Sequence, residues 1–183
     1  MDSTEWNLAR HKGVQNFVCF AYGSNMLIKK LRVRCRNAVK IGVCKIKKHN
    51  LKFHKVSKDH SGKCDCELTQ IESDEVYGVL FRIPKSEEKK LDEAEGLGNG
   101  YEKKKIDVTT IEEGKDTAVM YCATDEAKDP NKKPYVWYLN QVIEGAKENC
   151  LPDDYIAKIR KVVADEDPDR ARHATEAALY NGI

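Results

Sequence analysis

Apolar positions fall in short, closely spaced runs through the first two thirds of the chain, and then change period. Runs rich in β-branched and aromatic residues recur at 16–21 (NFVCFA), 38–46 (AVKIGVCKI), 49–56 (HNLKFHKV), 75–83 (EVYGVLFRI), 102–111 (EKKKIDVTTI) and 117–123 (TAVMYCA), and each predicts a strand. Polar turns at 59–63 (DHSGK) and 112–116 (EEGKD) punctuate them. Between the runs at 75–83 and 102–111 lies PKSEEKKLDEAEG, in which Pro84 ends a strand. Ser86 can cap a short helix through Leu91 and Ala94, and Gly96 stops it. Beyond Lys128 the apolar spacing becomes three and four, predicting helices at 135–147 and 152–164, with Pro152 suited to a first helical turn. Residues 169–180 are helix-prone but weakly amphipathic, a tail expected to dock on the body or fray. Strands followed by packed helices read as an α+β fold. A single domain over 1–183 is expected, with a mostly β core at 16–127 carrying the pocket and C-terminal helices at 134–183.

One junction breaks the pattern. In NFVCFAYGSNMLIKKL, residues 16–31, an apolar strand reaches Tyr22, the chain turns through Gly23, Ser24 and Asn25, and Leu27, Lys30 and Leu31 continue at helical spacing. Glycine permits positive φ and close approach to the backbone, and the free N–H groups of a first helical turn favour a carboxylate or phosphate. Ser24 or Asn25 would be a natural N-cap. Alone, such a turn reads equally well as a capped turn with no ligand. A second segment, LDEAEGLGNGY at 91–101, sets Asp92, Glu93 and Glu95 before three glycines and Tyr101. Asp92 and Glu93 read as solvated helix positions, whereas Glu95 lies at the mouth of the loop, where functional groups concentrate.

Composition narrows the classes. The 183 residues carry 32 Lys and Arg against 30 Asp and Glu, a formal charge of +2, which argues against nucleic acid or an anionic membrane as partner. The basic run KKLRVRCR at 29–36 therefore reads as the solvent side of the helix after the turn. No run approaches the roughly 18 apolar residues of a membrane span, and the opening MDSTEWNLARHKG lacks a continuous apolar stretch. Seven cysteines, several inside strand-like runs, suggest reduced and partly buried thiols and hence a cytoplasmic protein. His54, His60, Cys64 and Cys66 fall within one segment, but the usual second close-spaced pair is absent and no metal site is expected. Tyr135, Trp137 and Tyr138 read as helix packing.

FAYGSNM, followed about seventy residues on by LDEAEGLGNGY and later by GAKENCLPDDY, resembles the gamma-glutamylcyclotransferase family from about Phe17 to about Arg160. The resemblance implies a small, mixed, partly closed β-barrel flanked by helices, one pocket at the barrel mouth, and no metal or organic cofactor. It implies release of 5-oxoproline and a free amino acid from gamma-glutamyl compounds, and it allows a homodimer. Carried over by position, the substrate loop falls on Tyr22, Gly23, Ser24 and Asn25, the catalytic glutamate on Glu95, and two pocket tyrosines on Tyr101 and Tyr121. YGSN and the GAKEN helix favour the branch acting on gamma-glutamyl amino acids over relatives specific for glutathione or gamma-glutamylamines. A non-catalytic binding module on the same fold is the rival reading.

The chemistry implied explains the residue types. The substrate's own α-amine attacks its side-chain carbonyl, so no Ser-His-Asp or Cys-His set is required, and orientation supplies much of the effect. The amine is protonated at neutral pH, so a carboxylate must take its proton and return it to the leaving amine. Glu95 is expected to fill both roles, made a better base by partial burial among apolar groups.

Overall fold

A computed structural model describes residues 15–110 and 114–181. Among the described residues seven strands form: β1 (Asn16–Ala21), β2 (Val39–Lys47), β3 (His49–Val56), β4 (Gly62–Leu68), β5 (Glu75–Pro84), β6 (Tyr101–Thr110) and β7 (Gly114–Ala123). Five build one sheet in the order β2-β5-β1-β7-β6, and β3 and β4 form a separate hairpin. β1 pairs antiparallel with β5 and parallel with β7, and the remaining neighbours are antiparallel. Its central place explains its composition: a strand covered on both faces reads as a continuous apolar run rather than an alternating one. Phe20 on β1 and Leu80, Phe81 and Ile83 on β5 are almost wholly buried. A register shift between Lys40 and Gly42 bends β2, and the two edge strands β2 and β6 approach each other while β4 lies along β7. The sheet thus curls into the partly closed barrel expected.

Among the described residues five α-helices cover it: α1 (Ile28–Arg34), α2 (Glu88–Glu95), α3 (Val136–Glu148), α4 (Asp153–Arg160) and α5 (Arg170–Ala177). Between Leu91 on its inner side and Gly96, which ends it at φ +69°, α2 forms as the sequence suggests. In α3, Trp137, Tyr138, Leu139, Gln141, Val142, Ile143, Gly145 and Ala146 are all buried, as befits a helix enclosed on most sides.

Several expectations shift. The polar turn at 59–63 is displaced, because Gly62 and Lys63 already belong to β4, a strand the sequence reading missed. GKCDCEL has period-two alternation but three charges and no β-branched or aromatic residue, so the pattern was masked. Part of the turn expected at 112–116 lies outside the described residues, and β7 already begins at Gly114. The opening thirteen residues also lie outside them. α4 stops at Arg160 instead of reaching 164, because the chain turns back to bridge Asp165 to Tyr135. The tail docks rather than frays. Asp169 caps α5 by accepting from the Arg172 N–H at 3.0 Å, and Gln141 Nε2 on α3 donates to the Glu176 carbonyl at 3.0 Å.

Candidate active site

β1 delivers Tyr22 to the open end of the barrel, where the chain enters a single 3-10 turn, Ser24–Met26, before α1. Neither Ser24 nor Asn25 caps a helix: the positions before the turn and before α1 are Gly23 and Leu27, and neither cap has a side-chain hydrogen bond. The first amide of α1, Ile28 N–H, donates to Glu148 Oε2 at 3.3 Å and so points away from a ligand. Anion-binding capacity instead rests with Gly23, Ser24 and Asn25, whose amides have no backbone partner among the described residues. Gly23 is not left-handed, with φ −116°. It is glycine for room, since a Cβ there would stand 3.0 Å from Cys64 Cβ and 3.3 Å from the Tyr138 hydroxyl.

Glu95, the last residue of α2, meets this turn. Asn25 Nδ2 donates to Glu95 Oε1 at 2.7 Å, linking residues seventy apart in sequence. Arg34, from the far end of α1, donates through Nη1 to the same Oε1 at 2.9 Å and to Asn25 Oδ1 at 2.9 Å. The second carboxylate oxygen, Oε2, has no partner among the described residues. The carboxylate's setting is therefore charged and hydrogen-bonded on one side and open on the other, not the apolar burial expected from sequence. Arg34 also corrects the reading of 29–36 as a solvated face.

Tyr22, Gly23, Ser24, Asn25, Glu95, Tyr101 and Tyr121 all line one cleft, joined there by Cys19, Cys64 and Tyr138. Its enclosed part has a volume of about 40 Å³ and opens outward. The tyrosine hydroxyls are engaged in fixed ways. Tyr22 donates to the Tyr121 carbonyl, Tyr101 to the Cys64 carbonyl at 2.5 Å, and Tyr121 to Asp92 Oδ1 at 2.6 Å. Each therefore presents acceptor lone pairs rather than a proton to the cleft. Tyr138 differs, because its oxygen accepts the Cys64 N–H at 3.0 Å and its hydroxyl is also hydrogen-bonded with the Cys64 side chain. Burial raises the Tyr101 and Tyr138 hydroxyls well above the ordinary tyrosine range, so both stay neutral. Burial likewise pushes the Cys64 thiol up to about 12, which makes it wall rather than nucleophile.

Arg34, Asp92 and Tyr138 are the groups that sequence reasoning passed over. Asp92 does not stand in solvent: it holds Tyr121 and pairs with Lys103 Nζ at 2.7 Å. Its spacing of three from Glu95 left it one helical turn back on the same side, a signal that was available. Nothing local marks Arg34 or Tyr138, whose roles depend on long-range contacts.

Residues 75–159 match the AIG2-like family. Over 173 residues the chain is 34% identical to the gamma-glutamylcyclotransferase of Mus musculus, covering 92% of this chain and 90% of the relative. The Homo sapiens gamma-glutamylcyclotransferase is 30% identical over 173 residues with the same coverage.

The chain belongs to the gamma-glutamylcyclotransferase family.

A solved structure described as gamma-glutamyl cyclotransferase agrees in fold, with a TM-score of 0.80 at 28% identity over 92% of this chain and 100% of that one. The AIG2-like match takes in Glu95, Tyr101, Tyr121 and the whole of α3 but begins after the loop at 22–25. The gamma-glutamylcyclotransferase relatives, matched over 92% of the chain, extend the likeness across that loop as well. No helix among the described residues is long and apolar enough to cross a membrane.

Proposed function

We propose that this protein cyclises gamma-glutamyl amino acids to 5-oxoproline and releases the free amino acid, with Glu95 carrying the proton. The observation that supports this most directly is the 2.7 Å hydrogen bond from Asn25 Nδ2 to Glu95 Oε1, which joins the anion-binding turn to the acid in one cleft.

The free amides of residues 23–25 hold the substrate's α-carboxylate. That leaves its α-ammonium beside Glu95, where the open Oε2 takes a proton while Oε1 stays fixed by Asn25 and Arg34. The freed amine attacks the gamma-carbonyl carbon, forming the ring C–N bond and an oxyanion toward which the Tyr138 hydroxyl can donate once its proton turns from the Cys64 sulfur. On collapse the bond to the second amino acid breaks, Glu95 returns its proton to the departing amine, and the ring nitrogen's second proton leaves as well, so that the amino acid is released with an ammonium group. No water is consumed and the carboxylate ends as it began. Tyr101 and Tyr121, whose oxygens can only accept from the cleft side, suit the ammonium end of such a ligand. Seven free cysteines, five of them buried, accord with work in a reducing cytoplasm.

Incubation with gamma-glutamyl-alanine should yield 5-oxoproline and alanine, faster than glutathione yields 5-oxoproline. Glu95→Gln should lower turnover by about 10²–10⁴-fold while 5-oxoproline still binds. Binding of gamma-glutamyl-alanine with no product at all would make the protein a ligand-binding module. A Gln variant with near-normal turnover would remove Glu95 from the reaction.

A further inference from the structure

Among the described residues the acids around the cleft each have a cation. Glu95 is bound to Arg34 at 2.9 Å, Asp92 to Lys103 at 2.7 Å and Asp59 to Lys63 at 2.7 Å, and Lys128 stands 3.8 Å from Asp65. Lys55 is left over. It is 8% exposed, yet among the described residues no carboxylate lies within ion-pair distance of its ammonium and no hydrogen bond engages it. What it does touch belongs to the site: Nζ stands 4.6 Å from the ring centroid of Tyr101, one of the cleft walls. A Cβ added at Gly100 would meet Lys55 Cε at 3.0 Å, so the glycine-rich loop after Glu95 closes over the same side chain.

The stem of Lys55 is covered while its ammonium keeps some solvent contact and has no protein anion, so an incoming carboxylate can reach it and form a charge-assisted hydrogen bond there. Burial lowers its pKa, opposed by the fields of Glu95 and Asp59, neither of which lies within ion-pair distance of it. Resting on the function proposed above, we infer that Lys55 receives the carboxylate of the leaving amino acid and so selects gamma-glutamyl amino acids over gamma-glutamylamines. Charge counting supports the match. Glu95, Arg34 and Lys55 together carry one net positive charge, whereas a gamma-glutamyl amino acid, with two carboxylates and one ammonium, carries one net negative charge. A gamma-glutamylamine lacks the second carboxylate and is neutral, leaving Lys55 unanswered. Lys55 stands against the ring of Tyr101, whose hydroxyl bonds the carbonyl of Cys64, the residue packed against Gly23 at the turn that would take the first carboxylate.

The test compares gamma-glutamyl-alanine with gamma-glutamyl-alaninamide, which differ only in that carboxylate. The unaltered protein should favour the acid by about tenfold or more in kcat/KM, the scale of one charged hydrogen bond. Lys55→Met should remove most of that preference by lowering kcat/KM for the acid while leaving the amide within about twofold. Lys55→Arg should keep much of the preference, which a purely packing role against Tyr101 would not give. Equal turnover of acid and amide by the unaltered protein, or an equal loss on both substrates in Lys55→Met, overturns the inference while leaving the cyclisation standing. Absence of 5-oxoproline from either substrate takes down the function and this inference together.

Discussion

Glu95 was legible in the sequence because it sits at a chain landmark, the last residue before Gly96. Arg34 was not. Its neighbours Arg32 and Arg36 have the same side-chain chemistry, and only the folded chain reveals that the guanidinium of Arg34 reaches back across α1 to Asn25 and Glu95. A planar guanidinium is suited to holding two oxygens at once. It fixes Oε1 and the Asn25 amide together, and so sets which carboxylate oxygen faces the cleft. We therefore class it as a positioning residue. Arg34→Met should lower kcat about 10–100-fold, the order expected when a reacting group is misplaced by about 1 Å, with 5-oxoproline affinity changed only a few-fold. Arg34→Lys should recover part of the loss, because both bonds leave the single nitrogen Nη1 and an ammonium carries three N–H groups, though on a shorter side chain. A loss confined to KM would instead mean that Arg34 touches the substrate directly. The cleft's other long-range groups were hidden for the same reason, since no spacing rule links Tyr138 on α3 with Cys64 on β4.

At the scale of elements, GAKEN explains itself once α3 and the loop are seen together. The backbone of α3 packs directly on the turn after Asn25: a Cβ at Gly145 would lie 2.6 Å from the Leu27 nitrogen and 2.9 Å from the Met26 carbonyl carbon. Glu148 accepts the Ile28 N–H, and Asn149 Nδ2 donates to the Met26 carbonyl at 2.9 Å and the Gly145 carbonyl at 2.8 Å. Three residues of one motif thus hold the loop whose amides face the cleft. Glycine normally weakens a helix interior by about 1 kcal/mol relative to alanine, so Gly145→Ala would stabilise α3 taken alone. Here the contact with rigid backbone should dominate. Gly145→Ala should lower the melting temperature by several degrees, as a destabilisation of about 1–3 kcal/mol implies for overpacking in a domain of this size, and should cut turnover along with it. A melting temperature that rises would show that α3 and the loop separate freely. The spacing of apolar residues predicted α3 well but could not tell which helix face meets which turn. The missed strand β4 is the complementary case: its inward groups are Cys64 and Cys66 together with the buried Asp65, a set that hydropathy does not read as core.

The whole molecule adds a link between the C-terminal segment and the site. Asp167 is buried, and its carboxylate collects donors from distant parts of the chain. Trp137 Nε1 on α3 and Arg172 Nε on α5 each donate to Oδ2 at 2.7 Å, Arg172 Nη2 donates to Oδ1, and the Asp169 N–H donates to Oδ1 at 2.9 Å. The Arg172 bonds above all hold the Asp167 pKa down to about 2. An ordinary unfolded aspartate titrates near 4, so the folded chain keeps the charged form over a range in which the unfolded chain takes up a proton. The stabilisation is thus present in full above about pH 4 and is lost as pH falls toward 2. Asp167→Asn removes that dependence, since the amide does not titrate. Thermal melts of the two proteins at successive pH values from 6 to 3 should show the unaltered chain ahead at pH 6 and the gap narrowing below about pH 4. A gap of constant size would mean that Asp167 contributes by packing alone. Because Trp137 lies on the helix that carries Gly145 and Asn149, loosening this carboxylate should reach the loop through α3. Activity recovered after brief exposure to pH 3 and return to neutrality would then measure a reversible undocking rather than damage to the cleft.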